Sequence, residues 1–159
     1  MKKAELSEVQ NVPNPLQVHE VRKPISSVLG TTDFAMNYFE LESGESFSGG
    51  IHTHHDQEEV FYIQDGTATF ERGPEGEKEP VEVGPREAIR FSPGEFQCGH
   101  NRDDETVVGL AIGAPGAMHD WDQLESMVYC PECEEETGHS IALEGGQFDL
   151  TCNECGYEH

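Results

Sequence analysis

The sequence has 159 residues, 32 acidic against 9 basic, for a formal net charge of −23, a length that fits one domain or one domain with a small module. Hydrophobic residues make up only 35%, but they alternate in strand fashion between Gly, Pro and Asp turns, which argues against a disordered chain. No apolar run approaches the ~20 residues of a membrane span, and Met1-Lys2-Lys3-Ala4-Glu5-Leu6 leads into no secretion-signal core, so a cytoplasmic location is expected.

Residues 1–24 contain Pro13, Pro15 and Pro24 and read as an N-terminal arm with one strand over 16–21. Residues 34–41 form the next predicted strand, closed by Ser43-Gly44, and residues 47–54 another, ending in His52 and His54. Strands over 59–63 and 67–71 bend at Asp65-Gly66; residues 73–77 read as a hairpin loop from their Gly and Pro content. Strands over 80–83, 88–91, 97–101 and 106–112 follow, broken by Gly84-Pro85, Pro93-Gly94 and the polar turn at 102–105. Short strands at near-regular spacing predict an all-β sandwich or barrel over 25–115. Residues 116–127 are polar and read as a linker, with a turn or two of helix, and residues 128–159 as a second, small module.

The chemistry concentrates at residues 50–66. On a strand, His52 and His54 point to the same face and His55 to the other. Glu59 opens Val60-Phe61-Tyr62-Ile63, a β-branched and aromatic run. Two imidazoles and a carboxylate from neighbouring strands suit a divalent transition metal. His100 is out of phase with these positions and joins them only if a bulge resets its strand. Cys98 reads as a small buried apolar residue, Phe61 and Phe91 as core or pocket wall, and His119, His139 and His159 as surface histidines. Tyr38 and Arg90 have the chemistry to meet a ligand, on strands whose inner face the sequence alone does not assign.

The spacing H-x-H, four residues, Glu, six residues, Gly places His52, His54, Glu59 and Gly66 on the first motif of the cupin family. In the stretch from Gly84 to Asn101, Gly94 and Asn101 match its second motif, with Pro93 one place late and Gln97 where the family has a histidine ligand. The resemblance covers roughly residues 25–115. It implies a cupin double-stranded β-helix, a jelly-roll barrel, with a divalent metal (Fe, Mn, Ni or Zn) on His52, His54 and Glu59. Gln97 would add an amide oxygen or hydrogen-bond a metal-bound water. The family also implies a small-molecule ligand inside the barrel and a homodimer. The acidic composition resembles that of halophilic archaeal proteins, where ~1 M salt shortens the Debye length to about 3 Å and screens self-repulsion.

In the tail, Cys130-Pro131-Glu132-Cys133 and Cys152-Asn153-Glu154-Cys155 have the C-x2-C…C-x2-C spacing of a four-cysteine zinc site. The stretch resembles a zinc ribbon whose hairpin pairs 140–143 with 147–150 around Gly145-Gly146. A module of ~30 residues buries too little core to fold alone, so zinc would supply the folding energy. From Met127 onward there is no Lys or Arg, which disfavours nucleic acid and leaves a protein partner as the expected one for the ribbon. The functional expectation is a metal-dependent cupin acting on a small molecule, with dioxygenase chemistry foremost and isomerase or lyase chemistry open. The alternative is a regulatory cupin that binds a metabolite without turning it over.

Overall fold

The protein is described by a computed structural model covering residues 1–12, 14–74, 78–118, 120–145 and 147–159. The strands are β1 (Val21–Pro24), β2 (Ala35–Leu41), β3 (His52–His54), β4 (Glu58–Asp65), β5 (Ala68–Arg72), β6 (Lys78–Val83), β7 (Ala88–Phe91), β8 (Gln97–His100), β9 (Val107–Ala114), β10 (Leu124–Cys130), β11 (Glu135–Glu144) and β12 (Gln147–Cys152). They form two sheets, ordered β1-β2-β9-β4-β7 and β12-β11-β10-β3-β8-β5-β6. Every strand pairing is antiparallel. The expected all-β jelly roll with a small C-terminal cysteine module is therefore the observed fold.

Side-chain alternation sets the inner faces. Along β4, Phe61 and Ile63 are buried while Tyr62 is exposed. Phe39, Leu41, Phe47, Phe61, Ile63, Phe70, Phe91 and Val107 meet between the sheets as one core. Phe61 packs on Phe70 and Phe47, with ring centroids 4.9 and 5.1 Å apart. Burying each such ring contributes roughly 2–3 kcal/mol. Gly99 leaves the space for this stack, since a Cβ there would lie 2.5 Å from Phe70 Cε1. Gly66 turns β4 into β5 at φ 72° with Thr106 O only 2.6 Å from where a Cβ would sit, so no other residue fits without strain.

Four differences from the sequence reading have local causes. The arm's strand lies at Val21–Pro24, not 16–21, after a 3-10 turn at Leu6–Glu8. A short helix α1 (Ile25–Leu29) follows Pro24 and ends on Gly30 at φ 71°, a left-handed cap that the hydrophobic pattern does not announce. Only His52–His54 of the 47–54 stretch is strand. Before it, Ser46 Oγ donates to Ser48 O and Ser48 Oγ to Gly50 O, local bonds that compete with a ladder. Finally, residues 124–127, expected within a linker, belong to β10. That strand pairs with β3 on one edge and β11 on the other, so the barrel sheet runs unbroken into the cysteine module. Asp120 Oδ1 caps the preceding 3-10 turn at Trp121–Gln123. Of the expected hairpin turns, residues 75–77 and Gly146 lie outside the described residues, as does His119.

Asn101 is fully buried; its Nδ2 donates to Leu41 O (2.8 Å) and Glu105 O (2.9 Å), and its Oδ1 accepts from Asp103 N–H (3.0 Å). Truncation to Ala removes the partner of the Leu41 carbonyl in β2 and of the Glu105 carbonyl and Asp103 N–H in the turn before β9. Asn101→Ala is expected to lower stability by about 3 kcal/mol in urea denaturation; a loss below about 1 kcal/mol would show that the turn holds without it.

Candidate metal centre

β3 is only three residues long, but both of its edges are paired, by β8 and by β10. His52 sits directly opposite Gln97 in this ladder, so the two side chains share the inner face. Glu59 comes from β4 in the facing sheet. The donors thus reach one another across the barrel. His52 Nδ1 lies 3.0 Å from Gly50 O, which fixes Nδ1–H as donor and turns Nε2 inward. Nε2 of His52 is 3.8 Å, and Nε2 of His54 3.6 Å, from the oxygens of Glu59. Gln97 Nε2 donates to Glu59 Oε2 at 2.7 Å and is 3.4 Å from His52 Nε2. Donors about 2.1 Å from a common ion lie roughly 3.0–3.4 Å apart in octahedral or tetrahedral shells. The His52, His54 and Glu59 donor atoms could hold one metal ion.

Two further features suit a cation. Burial in the barrel pushes the Glu59 carboxyl above its ordinary value, only partly opposed by His52 and the Gln97 hydrogen bond. An ionised Glu59 therefore lacks a counter-charge that a divalent ion would supply. Gln97 is 1% exposed, and its Oε1 has no hydrogen-bond partner among the described residues. A half-turn of the amide presents this oxygen to an ion at the cost of one hydrogen bond.

Other candidates separate cleanly. β8 runs in register against β5 without a bulge, pairing His100 with Thr69 and Gln97 with Arg72. His100 accordingly faces Glu71, 3.4 Å away, and stands apart from the cluster. His55 lies outside, 2.8 Å from Glu125. Tyr38 and Arg90 also face outward: the Tyr38 hydroxyl donates to Glu40 Oε1, and Arg90 pairs with Glu58. Cys98 is buried, and burial pushes its thiol up to about 11.

In the C-terminal module, Cys130 and Cys155 Sγ are 3.5 Å apart and Cys133 and Cys152 Sγ 3.9 Å. Thiolates about 2.3 Å from a tetrahedral zinc would be roughly 3.8 Å apart, and all four cysteines are free. The four sulfurs could therefore hold zinc. The Thr137 hydroxyl, 3.2 Å from Cys152 Sγ, is the main cause that draws that thiol down to about 5. His139, expected on the surface, is fully buried instead. Its Nδ1 bonds Thr137 O (2.9 Å) and its Nε2 meets His159 Nε2 (3.1 Å).

A cavity of about 720 Å³ opens from the His52–His54–Glu59 cluster. Phe47, Phe61 and Ala111 form its barrel wall; Ile141, Phe148 and Leu150 of the β11–β12 hairpin form the facing wall. The sequence reading missed this second wall. Its signal is the alternation of Ile141 with Leu143 and Phe148 with Leu150, an apolar face on a module too small to cover it alone.

A two-sheet antiparallel barrel with two histidines and a glutamate at its mouth defines the class of double-stranded β-helix proteins with a candidate metal site. Residues 37–113 match the model of the Cupin domain family, Cupin_2; this part of the chain is a cupin domain. The structure is similar to a sugar phosphate isomerase of the cupin superfamily from Silicibacter pomeroyi: 17% identity, TM-score 0.65, covering 98% of this chain and 95% of that one. It is also similar to the polyketide cyclase RemF from Streptomyces resistomycificus, with 20% identity, TM-score 0.66 and coverage of 84% and 90%. At these identities the likeness is one of fold. No curated protein matches the sequence.

The buried charge of Glu59 gives a sign-definite test. Its folded-state value is raised, so the penalty is absent below the ordinary carboxyl value of 4.5 and grows as pH rises from there. In chelator-treated protein, Glu59→Gln is expected to raise the melting temperature at pH 7, with the gain shrinking towards pH 4.5. Equal melting temperatures at pH 7 would show that Glu59 is already compensated by its neighbours.

Proposed function

We propose that the protein is a metal-dependent cupin enzyme acting on a small molecule held between barrel and C-terminal hairpin. The observation that carries this reading is the joining of the His52–His54–Glu59–Gln97 cluster to a cavity walled on its other side by the hairpin. A bound divalent ion would supply Lewis-acid activation at coordination positions left open by the protein. His52, His54 and Glu59 would hold the ion. Gln97 would add an amide oxygen, or orient a bound water, in place of the imidazole usual at its position. The apolar walls exclude water and press the ligand towards the ion.

The zinc site takes on a further role in this reading. Holding the cysteine pairs together fixes β11 and β12, and these carry the cavity's second wall. Zinc in the ribbon thus maintains the shape of a ligand site some distance from itself. Among the described residues lining the cavity, Glu59 is the single carboxylate. Paired-carboxylate acid–base chemistry has no second carboxylate among those residues, which favours chemistry at the ion itself. Oxygen incorporation, isomerisation and lyase chemistry all fit this description. The regulatory reading becomes the better one if the barrel takes up no metal.

Elemental analysis of protein purified without added metal tests the proposal. Two metals per chain are expected, one of them zinc. His52→Ala should remove one and spare the other; Cys152→Ser should remove the zinc and also weaken small-molecule binding. A single metal untouched by His52→Ala would contradict the metal-dependent reading. Oxygen uptake by iron-loaded protein on catechols and diketones separates the dioxygenase subclass from the others. Gln97→His is expected to tighten barrel metal binding on the order of tenfold by completing an imidazole set; unchanged affinity would place Gln97 outside the coordination sphere.

A further inference from the structure

We propose that Arg22 is the anion-binding residue of this cavity, taking an oxyanion group, phosphate or carboxylate, on the molecule whose other end reaches the His52–His54–Glu59 cluster. The inference rests on reading the cavity as a ligand site. It assigns the substrate class, an oxyanion-bearing small molecule, and a second fixed point for it.

Register places the side chain. In the β1–β2 ladder Arg22 lies opposite Phe39 and Lys23 opposite Tyr38. Phe39 is core and Tyr38 bonds Glu40 on the outer face, so Arg22 shares the inner face with Phe39 and lines the cavity. The strand is pinned by the arm: Arg22 N–H donates to Asn11 Oδ1 (2.8 Å) and Val12 N–H donates to Arg22 O (2.8 Å). Beside it, buried His19 has its Nδ1 2.9 Å from Ser46 O and its Nε2 3.3 Å from Asn14 N–H. Both ring nitrogens are engaged as in a neutral imidazole, and burial lowers the His19 value further. With both nitrogens so engaged, His19 competes for no anion.

The chain has 32 acidic residues, and Arg90 and Arg102 take Glu58 and Glu71 on the surface. Arg22 forms no ion pair among the described residues. Glu45, the acid that bears on neighbouring His19, is occupied by the N–H groups of Glu20 (2.9 Å) and Glu42 (2.8 Å). Half-buried and uncompensated, Arg22 is held below its ordinary value by desolvation. Arginine presents a planar fork of donors suited to phosphate or carboxylate. Asn37, which also lines the cavity, has a side-chain amide without a hydrogen-bond partner among the described residues and stands ready as a second donor.

The two ends are set apart by the sheet. From β1 to the strand of Glu59 the order is β1-β2-β9-β4, three strand spacings or roughly 14 Å between backbones. The Arg22 and Glu59 side chains both stand on the inner face of this sheet, so a small molecule lying along it meets both. Such a molecule, anionic at one end and metal-seeking at the other, would bind in a single orientation.

Calorimetric titration with inorganic phosphate and, separately, with benzoate tests the assignment and tells the two anion classes apart. At least one should bind the wild type, at least tenfold more weakly to Arg22→Gln, and with affinity retained in the His52→Ala/His54→Ala variant. Retention there while no barrel metal is found would leave the anion site standing and remove the metal reading. Unchanged binding to Arg22→Gln, loss of binding in the histidine variant, or no binding to the wild type would overturn the proposal. If Arg22→Gln does not fold, phenylglyoxal labelling of the wild type replaces it: phosphate or benzoate should protect Arg22 in peptide maps, and labelling that neither slows would overturn the assignment.

Discussion

The pairing of both edges of β3 is the constraint on which the rest depends. Three residues are too few to hold a strand in place by their own ladder. Here Gln97 lies opposite His52 on one side, and Leu124, Glu125 and Ser126 pair with His54, Thr53 and His52 on the other. One ladder brings the amide to the imidazoles. The other attaches the cysteine module to the strand that carries them. The histidine–glutamate cluster and the C-terminal hairpin are therefore mechanically joined, and the cavity between barrel and hairpin follows from that join.

Electrostatics gives this cavity a polarity that the composition conceals. The chain as a whole is strongly acidic, with a net charge of −23. Inside, the balance is different. Among the described residues on the cavity wall Glu59 is the one carboxylate, desolvated and drawn towards the neutral form, while Arg22, on the edge strand of the same sheet, forms no ion pair among them. A divalent ion would balance the first charge and an oxyanion the second.

Much of the fold was legible in the sequence because its signals are local. Alternation gave the strands of the barrel, and the spacing of His52, His54 and Glu59 gave the donor set before any fold was known. The cysteine spacing gave the second cluster in the same way. What stayed hidden depends on contacts distant in sequence. Residues 124–127 have no strand pattern of their own, since β10 is held by partners on both sides. His139 looked like a surface residue because burial by His159, 20 positions away, leaves no periodic trace. Arg22 sits in a proline-bounded arm whose register against Phe39 emerges only from pairing. Tyr38 and Arg90, with equally suitable chemistry, fell on the outer face of their strands.

The central claim is that four side chains from both sheets close on one cation. Anomalous diffraction from a crystal soaked in manganese, measured at energies flanking the metal edge, tests it most directly. The account expects a peak about 2.0–2.3 Å from Nε2 of His52, Nε2 of His54 and a Glu59 oxygen, with the Gln97 amide turned to offer Oε1 or a bridging water. Anomalous signal confined to the cysteine cluster, with the Glu59–Gln97 hydrogen bond intact, would contradict it.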